Sequence, residues 1–153
     1  MTFFSNIYKG KRVLITGHTG FKGSWLALWM KQLGAEVCGF SLTPNTVPNH
    51  FSIANIEMTS IIGDIRNSNE ISKAITDFQP DIIFHLAAQP LVRYSYKEPH
   101  ETYETNVMGM LNVLEACRNT ESVCAIVTIT TDKVYENHES PNGYAESDRL
   151  GGY

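Results

Sequence analysis

The run Val13-Leu14-Ile15-Thr16-Gly17-His18-Thr19-Gly20-Phe21-Lys22-Gly23 constrains this chain more than any other stretch, because it leads an apolar strand into a helix through three glycines. Main chain can approach a phosphate closely only where no Cβ intervenes. A helix beginning at such a loop adds unpaired N–H groups and the positive end of its dipole. Gly17 and Gly20 are placed to make the turn and the approach, and Gly23 to let the helix pack tightly on the strand. The spacing G-x-x-G-x-x-G therefore predicts a dinucleotide's diphosphate over residues 17–23. A strand-to-helix turn with no ligand would use the same strand and helix, so the remaining residues have to decide.

A chain of 153 residues, 42% of them hydrophobic, is long enough for one globular domain with a core and too short for a second complete one. Its formal charge of -4, with no basic stripe interleaved with aromatics, argues against a nucleic-acid partner. Residues 1–12 lack the apolar centre of a signal peptide, and no later run approaches the roughly 18 apolar residues needed to cross a bilayer. The expectation is a cytoplasmic protein with no membrane partner. Cys38, Cys117 and Cys124 form no C-x-x-C pair and sit in apolar segments, which predicts buried reduced thiols rather than a disulfide or a metal site.

From residue 12 to 130, short β-branched runs alternate with helical segments, the pattern of a parallel sheet covered on both faces. Strands are predicted over 13–16, 37–40, 82–85 and 123–130, with a weaker one over 60–63. A helix over 21–33 closes with Gly34, and a second opens at Asn67, three residues before Glu70, as a capping box does. Ile71, Ala74, Ile75 and Phe78 mark its buried face. A longer helix over about 101–118 puts Tyr103, Val107, Met110, Leu111, Leu114 and Cys117 on one stripe. Right-handed crossovers then give an α/β, doubly wound sheet of order 3-2-1-4-5. Residues 43–55, with Pro44, Pro48 and several asparagines, read as a loop on the cofactor side, and 136–153 as irregular chain.

The second strand should end in a carboxylate for the adenosine ribose, yet residues 37–43 offer only Ser41 and Thr43. No Lys or Arg lies between Lys31 and Arg66 to clamp a 2′-phosphate, which leans toward NAD over NADP. Asp64, followed by Ile65, reads equally as a partner for the adenine amino group or as a cap for the next helix. The fourth strand runs into Leu86-Ala87-Ala88-Gln89, small enough to pass beneath a nicotinamide ribose. His85 ahead of it is either a base or, on the better reading, a histidine satisfied by backbone. Asn106 is placed to orient backbone or water, or is simply solvated. The fifth strand delivers Thr131-Asp132-Lys133 to the edge where open α/β sheets bind ligands. A surface turn with an Asp-Lys pair is the plainer alternative; an acid and a base side by side suit loss of a proton from one carbon and a hydroxyl from its neighbour.

These residues resemble the sugar-nucleotide 4,6-dehydratases of the extended short-chain dehydrogenase/reductase group. The resemblance covers Gly17 to Gly23, Gly39-Phe40-Ser41-Leu42-Thr43, Gly63-Asp64-Ile65-Arg66 and the run from His85 through Arg93 to Tyr96. It continues through Glu101-Thr102-Tyr103, Thr105-Asn106-Val107-Met108-Gly109, Thr131-Asp132-Lys133 and Gly151-Gly152-Tyr153. Lys133 stands where the TDP-glucose relatives would show glutamate, and with the missing ribose carboxylate it favours the branch acting on CDP-glucose.

The resemblance implies a Rossmann-type NAD domain over 1–135 and an internal redox cycle. In that cycle NAD takes hydride from the sugar's C4, water leaves across C5 and C6, and hydride returns to C6. Cofactor contacts are implied for Gly17, His18, Thr19, Gly20, Phe21, Lys22, Gly23, Ser41, Asp64, Ile65, Leu86, Ala87, Ala88, Gln89 and Asn106. Thr131 would hold the 4-hydroxyl, Asp132 protonate the departing 6-hydroxyl and Lys133 serve as the C5 base or its assistant. The family's Tyr-x-x-x-Lys pair is absent from these 153 residues, and in relatives it follows a Gly-Gly-Tyr like 151–153. The expectation is thus an incomplete domain lacking later strands and the substrate lobe, inactive alone, and a homo-oligomer in the full-length protein. A sugar-nucleotide epimerase and a non-catalytic NAD-binding module are the alternatives.

Overall fold

The computed structural model describes residues 3–139 and 141–151, and of Phe3 and Asp132 the backbone alone. Expectations resting on Gly152 and Tyr153 lie outside the described residues. Five strands, β1 (Arg12–Thr16), β2 (Glu36–Ser41), β3 (Thr59–Ile62), β4 (Ile82–His85) and β5 (Ala125–Thr128), form one parallel sheet in the order β3-β2-β1-β4-β5. That is the predicted doubly wound order. In register Thr16 lies beside Phe40 on one side and His85 on the other, so the strands end together and their exit loops share one edge.

Alternation along the strands sorts the core. Val13, Ile15, Val37 and Phe84 meet Ala27 and Met30 of α1 (Phe21–Gln32) on one face. Leu14, Phe40 and Ile83 meet Ile71, Ala74 and Ile75 of α3 (Ser68–Phe78) and Val113, Ala116 and Cys117 of α6 (Met110–Arg118) on the other. Burying each branched side chain contributes about 1.5–3 kcal/mol, enough to fix which face each helix covers. Gly34, at φ +85°, closes α1 as expected, with its N–H on the Lys31 carbonyl and that of Ala35 on Met30.

At α3, the Asn67 side chain accepts from the Asn69 and Glu70 amides. The Glu70 carboxylate, however, takes the Asp64 amide at 3.1 Å and the Asn67 side-chain amide at 2.8 Å instead of the cap's own N–H, which is bonded to the Asp64 carbonyl.

Five expectations are corrected. Within the predicted loop 43–55 lies a short helix, α2 (His50–Ala54). The Asn49 side chain caps it, and aromatic contacts hold it: His50 stacks on Trp25 at 4.3 Å and Phe51 meets His18 edge-on at 4.9 Å. Two further helical turns, α4 (Val92–Lys97) and α5 (Pro99–Tyr103), precede a π-helical turn at Glu104–Gly109 that runs directly into α6.

The extra residue in that turn breaks the 3.6-residue period, and of the predicted stripe only Cys117 reaches the core, with Met110 half-buried. Tyr103, Val107, Leu111 and Leu114 are exposed, while Val113, Ala116 and Cys117 are buried. Strand β5 is shorter than predicted because its partner β4 ends at His85. Cys124, just ahead of this edge strand, is exposed, unlike Cys38 and Cys117, whose thiols burial pushes up to about 11. Finally, the irregular tail is tied at its neck: Glu136 N–H bonds the Arg149 carbonyl, Gly151 N–H bonds Val134, and Tyr135 pairs with Leu150 as an antiparallel bridge. Among the described residues no helix is long and apolar enough to cross a membrane.

Candidate functional site at the sheet edge

Strand order reverses beside β1: the chain winds outward to β2 and β3, then jumps back across β1 to β4. Exit loops of β1 and β4 therefore face each other, the switch point at which doubly wound sheets take ligands. Here the two loops touch. Gly17, at φ +75°, lies so near the β4 exit that a Cβ there would come within 2.9 Å of the Ala87 amide nitrogen. A Cβ on Gly23 would come within 2.1 Å of the Gly17 carbonyl oxygen. Only glycines permit this main-chain cradle, and α1 rises from it with Gly20 at its N-cap and no side chain capping its first amides. A diphosphate is the chemistry such a cradle fits. Phe21 and Lys22 are exposed on the first turn.

The residues read from sequence are gathered at this edge, in different ways. Thr19 donates to the Leu42 carbonyl at 2.8 Å, so the Ser41 hydroxyl, 2.8 Å from Thr19, spends its own proton there and keeps only acceptor capacity. Asp64 is taken up by Arg66, accepting from its Nε at 2.8 Å, its Nη2 at 2.6 Å and its backbone amide at 2.9 Å, while Arg66 also faces Glu101 at 3.6 Å. These bonds hold the Asp64 carboxyl below its usual range and favour the local structural role over a free carboxylate. Ile65 is buried against Gly109 of the π turn. Glu101, in turn, receives the Tyr94 hydroxyl proton.

Asn106 clasps the β4 exit: its Oδ1 accepts from the Gln89 amide at 2.7 Å and its Nδ2 donates to the Gln89 carbonyl at 3.0 Å. The π turn is what points it there, a role in orienting backbone rather than a solvated one. Leu86 and Ala87 are half-buried and Ala88 is exposed. Beyond β5, Asp132–Val134 forms one 3₁₀ turn, with the Lys133 amide donating to the Thr131 hydroxyl at 3.2 Å and Lys133 itself exposed. The Asp132 side chain lies outside the described residues.

Two histidines behave differently from simple ligands. The His18 ring turns inward, fully buried, against Gly39, whose Cβ would fall 2.2 Å from the imidazole. Its Nε2 pairs with the Ser60 hydroxyl at 2.7 Å, and its Nδ1 is, among the described residues, the one buried side-chain nitrogen or oxygen without a hydrogen-bond partner. Burial lowers its pKa from 6.5 to about 4.

The unfolded chain therefore takes up a proton near 6.5 that the native ring refuses until about 4. Stability should be complete above the former value and drain as pH falls toward the latter, by about 3 kcal/mol at most. Urea midpoints measured across that window check this, and a flat profile would contradict it. His85, also lowered by burial, adds in the same direction. Sequence reading missed its partner Thr16, although two polar residues ending adjacent apolar strands were the visible signal.

The family model described as GDP-mannose 4,6 dehydratase matches residues 14–150. Over 150 residues the chain is 51% identical to the CDP-glucose 4,6-dehydratase of Salmonella typhimurium, covering 97% of this chain and 42% of that protein. It is 38% identical to the CDP-paratose 2-epimerase of Salmonella typhi, over 91% of this chain and 46% of that one. Among solved structures, the UDP-glucose 4-epimerase of Thermus thermophilus in complex with NAD aligns with a TM-score of 0.81 at 28% identity, over 92% of this chain and 44% of the other. The chain thus spans less than half the length of these relatives.

Proposed function

We propose, from the premise that this chain belongs to the GDP-mannose 4,6-dehydratase family, that it is the NAD-binding part of a sugar-nucleotide 4,6-dehydratase acting on CDP-glucose. The observation that carries this is the Thr131-Asp132-Lys133 run just beyond β5 in a chain 51% identical to a CDP-glucose 4,6-dehydratase. NAD, when bound, supplies a hydride acceptor that later returns the same hydride to the sugar.

The chain's own residues do the rest. Main chain at Gly17, His18, Thr19 and Gly20, with the first turn of α1 through Phe21, Lys22 and Gly23, holds the diphosphate; the His18 ring itself faces inward. Ser41 accepts from a ribose hydroxyl, the backbone at Asp64 and Ile65 flanks the adenine while the Asp64 carboxylate holds Arg66, and Leu86, Ala87, Ala88 and Gln89, steadied by Asn106, run beneath the nicotinamide ribose. Thr131 holds the sugar's 4-hydroxyl. With C4 oxidised the C5 proton is acidic, Lys133 serves as the base that removes it or as that base's assistant, and Asp132 gives its proton to the departing 6-hydroxyl so that water leaves. Residues 1–135 form the cofactor domain and 136–153 the loop leading from it, in a cytoplasmic enzyme of lipopolysaccharide O-antigen precursor synthesis.

Titrating NAD into the purified chain tests the reading: saturable binding, weaker for NADP, is expected, and absence of binding would end it. We also infer a homo-oligomer, supported by the exposed apolar stripe Tyr103, Val107, Leu111 and Leu114. Light scattering on a sizing column should report self-association that Leu111→Glu reduces; a monomer at all concentrations would refute it.

A further inference from the structure

We propose that Thr16 and His85 form a latch that positions the β4 exit loop against the glycine cradle, with His85 locked as the neutral Nε2–H tautomer and serving as an acceptor rather than a proton carrier. The argument is one of hydrogen-bond accounting. Thr16 Oγ1 is 3.1 Å from the Leu86 amide nitrogen, 3.1 Å from that of Ala87 and 2.8 Å from His85 Nδ1. A hydroxyl has two lone pairs and one proton. The two amides can only donate, that of Leu86 being shared with the Thr16 carbonyl at 3.2 Å, so of the hydroxyl's three partners His85 Nδ1 alone can take its proton. That nitrogen then carries no hydrogen, and the ring's proton sits on Nε2. Thr16 is fully buried, so its hydroxyl has only these partners, and His85 is 5% exposed.

What the latch holds matters for the site. Leu86 and Ala87 are the backbone that a Cβ on Gly17 would strike, so the hydroxyl fixes the β4 exit at contact distance from the first cradle glycine. The pair spans β1 and β4 where they lie in register, at the switch point itself. Burial lowers the pKa of His85, in keeping with a ring that stays neutral. Thr16 and His85 touch neither phosphate nor sugar in this account and are positioning residues.

The first test needs no ligand. Long-range ¹⁵N–¹H correlation spectra of the chain near neutral pH should show His85 with a bare Nδ1 and a protonated Nε2; an Nδ1–H ring or an imidazolium would overturn the latch. The second arm rests on the NAD reading. Thr16→Val, which strips the Ala87 amide of its acceptor and leaves the Leu86 amide only the Thr16 carbonyl, should bind NAD roughly tenfold more weakly, whereas Thr16→Ser should stay within about twofold of the parent. Unchanged affinity in Thr16→Val would overturn the positioning role. If the parent chain fails to bind NAD, the cofactor reading falls, while the tautomer still decides the latch. If Thr16→Val does not fold, His85→Asn, whose Oδ1 can take the Thr16 proton, should bind NAD like the parent and His85→Leu more weakly; equal affinities would again refute the role.

Discussion

Gly23→Ala is expected to unfold the cofactor cradle. The new methyl would lie 2.1 Å from the Gly17 carbonyl oxygen, 2.8 Å from its carbon and 2.9 Å from His18 Cα, all of them main chain. No flexible side chain stands there to move aside. The Gly17 carbonyl is further held by the Gly20 amide at 3.1 Å, so relief requires lifting α1 off the loop. Overpacking of this kind costs about 3 kcal/mol, and a shift of about 1 Å in a positioned site can cost roughly a hundredfold in function. Thermal unfolding should fall by about 10 °C, and NAD affinity should drop at least roughly a hundredfold. Gly143→Ala, where nothing lies within 4 Å, is the matched control and should change neither. A Gly23→Ala chain with the parent's melting temperature and NAD affinity would remove the glycines from the explanation.

The second large effect concerns chemistry and is read in a full-length relative carrying the same Thr-Asp-Lys run. Asn at the position of Asp132 keeps the shape of the carboxyl and loses the proton that the proposed mechanism sends to the departing 6-hydroxyl. General acid catalysis is worth roughly 10²–10⁴-fold, so formation of the 4-keto-6-deoxy product should fall by at least about a hundredfold. NAD binding should be untouched, because Asp132 follows β5 whereas the cradle follows β1. Undiminished product would take the acid role from Asp132. Loss of NAD binding together with product would mean that the residue holds the fold rather than the proton.

Much of this architecture could be read before any coordinate. The strand runs at Val13, Val37, Ile82 and Ala125 announce themselves by β-branched and apolar density, and Gly34 and Asn67 end and begin helices by local chemistry that acts within a few residues. Cradle glycines are similarly legible, since Gly17, Gly20 and Gly23 are spaced by the turn they make. Harder to read was the helix after Pro99. Its apolar residues obey one period, yet the π turn at Glu104–Gly109 rotates Tyr103 and Val107 out of the plane predicted for them and turns Asn106 onto Gln89. α2 was hidden in a loop-like composition because it is held by aromatic contacts to Trp25 and His18, residues about 25 to 33 positions away.

By itself, the amino-acid order determined the parallel sheet, its winding and the loop of glycines, because alternation, capping and close turns are settled between near neighbours. Tertiary structure alone decided which polar atoms are committed across the fold: Ser41 to Thr19, the Thr16 proton to His85, and the His18 ring to the interior. Those commitments join residues up to about 70 positions apart, and donors and acceptors can be counted only once the strands have brought them within hydrogen-bond distance.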